Sequence, residues 1–274
     1  MSQPRGLDPA RLRALLRGEP FVKDLLVRDT VGSTNELLRE LAAEGAPAGT
    51  VVLADAQTAG RGRLGRSWHS PPGLGLFVSI LLRPTGPVEA LTRWTLAAAV
   101  AACAACRTAT SEAAVCISWP NDIIWQGRKV GGVLAELRSS AQATSELVLG
   151  TGLNVSHTLD DFPFELRSSA ASLRLAAGDR VPSREILAAL YLRELADVAR
   201  LIEAGNWADV ARRWEAMAPD AVGRPVRVLS HARGAPDYDG VSSGLDELGG
   251  LRVRRGDGTT VSARLAQSVR LRED

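Results

Sequence analysis

Residues 8–17 (DPARLRALLR) carry helical spacing, and GEPF then leads into a first apolar strand near Leu25–Arg28. GSTN (32–35) follows, with Ser33 or Thr34 placed to cap a helix over about Asn35–Glu44. TVVLADAQ (50–57) is an unbroken strand pattern that runs into GRGRLGR (60–66), and LGLFVSILLR (74–83) predicts another strand. A long helix over Glu89–Arg107 precedes three strand-like runs, VCISWPNDIIW, KVGGVLAELR and SELVLGTGLNV, with turn residues between them. Helical spacing returns at 183–204 and 206–217 and ends at Ala218-Pro219, where proline disfavours continuation.

From Val222 the texture changes to short alternating strands, VGRPVRVL, DGVSSGL, GGLRVRR, TTVSARL and SVRLR, broken by glycines and the turn GDG (256–258). The economical reading is an α/β (α+β) protein with a mixed sheet flanked by helices and a small C-terminal β-barrel. Its divisions are a short helical extension (1–21), a large α/β domain (22–218) and a small β-domain (219–274). The last is marginal alone at its size and is expected to dock on the larger one.

Composition narrows the function. The chain has 274 residues, is 45% hydrophobic, and balances 33 basic against 31 acidic residues for a net charge of +2, too even for a dedicated nucleic-acid binder. No apolar run approaches the ~20 residues needed to span a bilayer, and the charged N-terminal stretch has no signal-peptide core, so a cytoplasmic location without membrane attachment is expected. Cys103 and Cys106 sit in an alanine-rich helical pattern that reads as packing, not redox or metal chemistry. Lysine occurs only at 23 and 129, against a background of arginine, which singles out Lys129 in KVGG.

GRGRLGR joins two predicted strands and combines close backbone approach with Arg61, Arg63 and Arg66, which suits a phosphate or carboxylate. A flexible basic loop is the bland alternative, and the segment matches neither a P-loop nor a dinucleotide fingerprint. WPND (119–122) offers an amide and a carboxylate at a strand end, where ordinary turn chemistry is the competing explanation. His69, His157 and His231 show no metal-ligand spacing and read as loop or surface residues. GVSSG (240–244) formally matches G-x-S-x-G but lies in a β-rich tail without the strand-turn-helix elbow of a serine hydrolase.

Taken together, GSTN, ADAQTAGRGRLGRSW, WPND, RKVGG and GTGLNV, in this order and spacing, resemble the biotin protein ligase family in the form lacking an N-terminal DNA-binding domain. The strong motifs cover about residues 25–155, and GLDELGGLRVRR to SVRLR resembles the SH3-like barrel of the same enzymes. The resemblance implies a biotin/lipoyl ligase-like catalytic domain that activates biotin with ATP to biotinyl-5'-AMP. Biotin would then pass to a lysine of a biotin carboxyl carrier protein of an acyl-CoA carboxylase. It further implies that Ser33, Thr34, Asn35 and Gln57 bind biotin. Gly60, Arg61, Gly62 and Arg63 would cover biotin and adenylate, and Gly132 would leave room for the ligand. Arg61, Arg63, Arg66, Trp68, Ser118, Asn121 and Asn154 would meet the nucleotide. Lys129, Arg63 and Asp122 would act in catalysis, with Lys129 touching both substrates and Asp122 orienting the incoming lysine or holding Mg²⁺.

ATP and biotin are implied as substrates with Mg²⁺, without a tightly bound cofactor, in a monomer or weak homodimer that binds neither nucleic acid nor membrane. One departure stands out: Ser118 occupies a position that is usually lysine in the family, which removes a charge from the phosphate side. The rival readings are a lipoate or octanoate ligase or transferase of related fold, against which GRGR with KVGG weighs, and a biotin-binding transcriptional regulator. The second would need a helix-turn-helix domain, for which no room precedes the first strand.

Overall fold

The computed structural model describes residues 6–85, 92–112, 114–139, 145–230, 236–264 and 267–271. Helix α1 (Pro9–Leu15) starts at Asp8, whose carboxylate accepts hydrogen bonds from the amides of Ala10 and Arg11. Strands β1 (Asp24–Val31) and β2 (Thr50–Gln57) pair in parallel, which requires a crossover, and α2 (Thr34–Ala43) supplies it. Then come β3 (Gly75–Leu82), α3 (Thr92–Thr110), β4 (Cys116–Ser118), β5 (Asp122–Trp125), β6 (Arg128–Ser139) and β7 (Ser145–Asn154). These strands form one mixed sheet in the order β1-β2-β3-β7-β6-β5-β4, antiparallel everywhere except between β1 and β2.

Both faces of this sheet are covered, which accounts for the unbroken apolar run in β2. Val51 and Leu53 join the core beneath the helices, with Leu76, Val78 and Ile80 of β3. Val52, between them in sequence, faces the other way onto Leu38 and Ala42 of α2. Cys103 and Cys106 are buried in α3, as their alanine-rich surroundings predict. Helices α4 (Leu173–Ala177), α5 (Arg184–Glu203) and α6 (Trp207–Met217) complete the helical elements, and α3 packs on α5 and α6.

Several local expectations are refined. VCISWPNDIIW is two strands, not one: it breaks at Trp119–Asn121, which includes a cis Trp119–Pro120 peptide bond. Gln126 and Gly127, both at positive φ (48° and 72°), form the two-residue turn between β5 and β6. Helix α3 continues three residues past Arg107 to Thr110, and the expected start at Glu89 lies outside the described residues. His157 lies in the loop after β7, as expected, but away from the surface: it is fully buried and stacks on Phe162 with ring centroids 4.8 Å apart. His231 falls outside the described residues.

The C-terminal strands β8 (Val222–Ser230), β9 (Tyr238–Leu245), β10 (Leu251–Arg254), β11 (Thr260–Ala263) and β12 (Gln267–Leu271) form an antiparallel sheet in the order β11-β10-β9-β8-β12. Its Val226, Val228, Leu251 and Val253 share a continuous buried cluster with Leu96 of α3 and Trp214 of α6. Backbone-directed bonds fix the contact: Trp207 Nε1 donates to the Asp246 carbonyl (3.1 Å), and Glu215 accepts from the Leu245 amide (2.8 Å). Ser242 of GVSSG is buried within β9 and accepts from the Arg224 amide, so the hydrolase reading has no elbow to stand on.

Candidate active site

A cavity of about 790 Å³ opens over β3, β5, β6 and β7, and every residue named from the sequence motifs lines it except Gly60. Gly60 lies beneath the rim, where a Cβ would stand 2.7 Å from both the Ser70 hydroxyl and the Trp68 carbonyl. Its own carbonyl accepts from the Trp68 amide (2.9 Å), and Gly62 donates to the Arg66 carbonyl (2.7 Å), closing the base of the 60–66 loop.

Part of the cavity wall is a hydrogen-bonding cluster at the start of α2. Ser33 occupies the cap position but makes no side-chain capping bond. Instead Gln57 Oε1, reaching over from the end of β2, accepts from the Thr34 amide (2.9 Å) and hydroxyl (3.1 Å), while Gln57 Nε2 donates to Ser70 (3.1 Å). Ser79 of β3, which no motif marks, is fully buried with its Oγ 2.6 Å from Asn35 Oδ1 and 2.8 Å from Thr34 Oγ1. Asn35 Nδ2 donates to Glu136 (2.7 Å), which also pairs with Arg61 at 3.3 Å and so ties the 60–66 loop to β6. A buried amide cluster of this kind needs every partner in place.

The glycines of GTG in β7 form the floor. A Cβ on Gly150 would stand 2.1 Å from Asn35 Oδ1, and one on Gly152 would stand 2.6 Å from Trp68 Nε1, so both absences admit side chains of the site. Trp68 Nε1 is buried without a partner, a donor available to a ligand.

The centre is cationic. Lys129 Nζ pairs with Asp122 Oδ1 at 2.6 Å and stands 5.5 Å from the centroid of the Trp68 ring. Gly132 leaves room for this pair as well as for a ligand, since its absent Cβ would stand 3.3 Å from Lys129 Nζ and 3.4 Å from Asp122 Oδ1. Arg63 Nη1 donates to Asn121 Oδ1 (2.9 Å), whose Nδ2 donates to the Val133 carbonyl. Burial lowers the Arg63 guanidinium from its ordinary range, opposed by the charge of Asp122. Asn154 Nδ2 donates to the Ala171 carbonyl at 2.9 Å. Arg66 stays exposed at the mouth.

Several lining residues were invisible to motif reading. Phe162, Leu166, Ser169 and Ala170 come from the irregular segment after β7, which contains a 3-10 turn at Phe164–Leu166. Pro219, Asp220, Leu229 and Val269 line the cavity from the junction and the small sheet. There Ser118 donates to Asp220 Oδ2 at 3.0 Å. The arrangement suits a ligand with a polar head group at one end, an apolar body and a developing negative charge near Lys129.

The profile of the Biotin/lipoate A/B protein ligase family matches residues 27–154. A Biotin--[acetyl-CoA-carboxylase] ligase of Mycobacterium tuberculosis is 35% identical over 249 residues, covering 88% of this chain and 86% of that protein. The Bifunctional ligase/repressor BirA of Bacillus spizizenii is 37% identical over 192 residues, 70% of this chain, and the matched part spans only 59% of that longer protein. The structure of the Aquifex aeolicus biotin protein ligase in complex with biotin and ATP superposes with a TM-score of 0.77 at 28% identity, covering 91% of this chain and all of that one. On fold, site and sequence, the chain belongs to the biotin/lipoate A/B protein ligase family.

Proposed function

We propose that the protein is a biotin ligase, which activates biotin with ATP to biotinyl-5'-AMP and transfers it to a lysine of a biotin carboxyl carrier protein. What supports this reading is that one cavity is lined both by Lys129, paired with Asp122, and by the cluster of Ser33, Thr34 and Gln57. A ureido head group needs donors and acceptors inside an otherwise apolar pocket, and that cluster offers both. With the head group there, the carboxylate falls toward Lys129 and Arg63, which offset the charge as it attacks the α-phosphorus and pyrophosphate leaves. No covalent nucleophile is required. Trp68 and the 60–66 loop would cover the mixed anhydride and keep water from it.

Mg²⁺ suits this site as a companion of the nucleotide. Among the described residues no three His, Cys, Asp or Glu side chains gather as a cage. Asp122 gives one oxygen to Lys129, and its second is available for a cation held mainly by phosphates, the usual arrangement for this ion. No helix among the described residues is long and apolar enough to cross a membrane, and we place the enzyme in the cytoplasm with its carrier substrate.

Purified protein mixed with biotin, ATP and Mg²⁺ should release pyrophosphate and yield biotinyl-5'-AMP by mass. Octanoate and lipoate in its place should not. Equal or greater turnover with either acyl acid would replace the biotin reading with that of a lipoyl-type enzyme.

A further inference from the structure

The part of the cavity lined from the small sheet and its junction carries a carboxylate, Asp220, that the activation of an acid does not use. Pro219, Leu229 and Val269, from the junction and the small sheet, line the same cavity as Asp220 and Ser118. Asp220 comes from the turn between α6 and β8 and is 3% exposed. Its Oδ2 accepts from Ser118 Oγ at 3.0 Å, and its Oδ1 is buried with no partner. Ser118 is half-buried and directly opposite Asp122 across the β4–β5 hairpin, so the two side chains share a face of the sheet. A row therefore runs Asp220, Ser118, Asp122, Lys129, from the small sheet to the reacting centre.

Apolar side chains beside a carboxylate are complementary to a lysine side chain, four methylenes with an ammonium at the tip. Resting on the biotin ligase reading above, we propose that this part of the cavity admits the acceptor lysine and that Ser118 and Asp220 relay away its proton. The ammonium donates one proton to Ser118 Oγ while the Ser118 hydroxyl proton passes to Asp220 Oδ2, leaving a neutral amine. The amine nitrogen forms the bond to the acyl carbon, the bond from that carbon to the phosphate oxygen breaks, and AMP departs. A further amine proton goes to the departing phosphate.

Asp220 is better suited to receive this proton than Asp122, which is committed to Lys129 at 2.6 Å. Burial raises the Asp220 carboxyl above the usual range, against the opposing effects of the Ser118 hydroxyl, its own and the Trp119 amides, and Arg224 of β8. Cys116 of β4, itself raised by burial, is a further titratable neighbour among the described residues. A general base works best when its proton affinity approaches the working pH.

The test separates the two half-reactions in the full chain, comparing Asp220→Asn and Ser118→Ala with the parent protein. Pyrophosphate release measures adenylate formation, and single-turnover transfer from preformed biotinyl-5'-AMP is followed to a lysine-bearing carrier domain and to hydroxylamine, an amine already unprotonated at neutral pH. Both variants should lose at least tenfold more in transfer to lysine than in adenylate formation. The deficit should shrink as pH rises toward the ordinary lysine range near ~10.4. With hydroxylamine the loss should be at least tenfold smaller than with lysine. Equal losses with the two amines, or a loss confined to adenylate formation, would overturn the relay. If Asp220→Asn does not fold, Ser118→Ala at its half-buried position decides alone. A parent protein that forms no adenylate overturns the biotin reading itself and this inference with it.

Discussion

Lys129 Nζ lies 2.6 Å from Asp122 Oδ1 in space that exists because Gly132 has no side chain. A Cβ there would approach the lysine nitrogen to 3.3 Å, close enough to push a flexible side chain but not the backbone. Gly132→Ala should therefore fold normally and slow adenylate formation about tenfold, because small displacements of a reacting charge are costly. Gly132→Val should slow it by more than about a hundredfold. Single-turnover pyrophosphate release, with melting temperature as control, checks both.

Gly150 presents the opposite case, since its neighbour cannot move away. Asn35 Oδ1 would be 2.1 Å from an added Cβ, and that amide is held on both sides by Ser79 and Glu136. Gly150→Ala should cost about 2 kcal/mol of stability by overpacking and should weaken biotin binding as well. Urea unfolding and calorimetric titration with biotin measure the two effects, and a variant as stable as the parent would contradict the rigidity assigned to the cluster.

What the sequence revealed divides along physical lines. Strand β2 was legible because burial on both faces keeps Val51 to Ala54 an unbroken apolar run, and α5 because a long helix repeats its spacing many times. The site was legible where several of its parts lie within one motif, as Arg61, Arg63, Arg66 and Trp68 do. Ser79 was not: a lone serine in an apolar strand has no pattern, and its role depends on Thr34 and Asn35 more than forty residues earlier. Asp220 was hidden for the same reason, since Ser118 meets it across 102 positions that only the docking of α6 and β8 brings together. The missing lysine at 118 was visible, whereas the carboxylate behind it was not.

His157 gives a prediction about pH. Its ring is buried against Phe162, neither nitrogen has a hydrogen-bond partner, and burial, helped by the nearby His69, lowers its pKa to about 4. The unfolded chain then binds a proton near the usual 6.5, before the native state does, so stability is highest above that pH and is lost as pH falls from 6.5 toward 4. The loss attributable to this residue amounts to about 3 kcal/mol. His157→Phe keeps the stack and removes the titration. Its unfolding free energy should match the parent's at pH 8 and exceed it at pH 4.5, and parallel pH profiles would refute the assignment.

Ser118→Lys joins the two halves of the reaction in one variant. A lysine there would supply the phosphate side of the cavity with the charge that serine lacks, and charge aimed at a developing anion lowers the barrier. Adenylate formation should be preserved or should rise, up to about tenfold. The same ammonium would stand beside Asp220, whose buried Oδ1 has no partner, and would pair with it. That pairing stabilises the ionised carboxylate and removes the hydroxyl through which it receives a proton, so transfer to the carrier lysine should slow. Biotinyl-5'-AMP should then accumulate in the presence of carrier, a state that quenched-flow sampling and mass analysis detect directly. A large loss of adenylate formation in Ser118→Lys would mean instead that this end of the cavity tolerates no added charge.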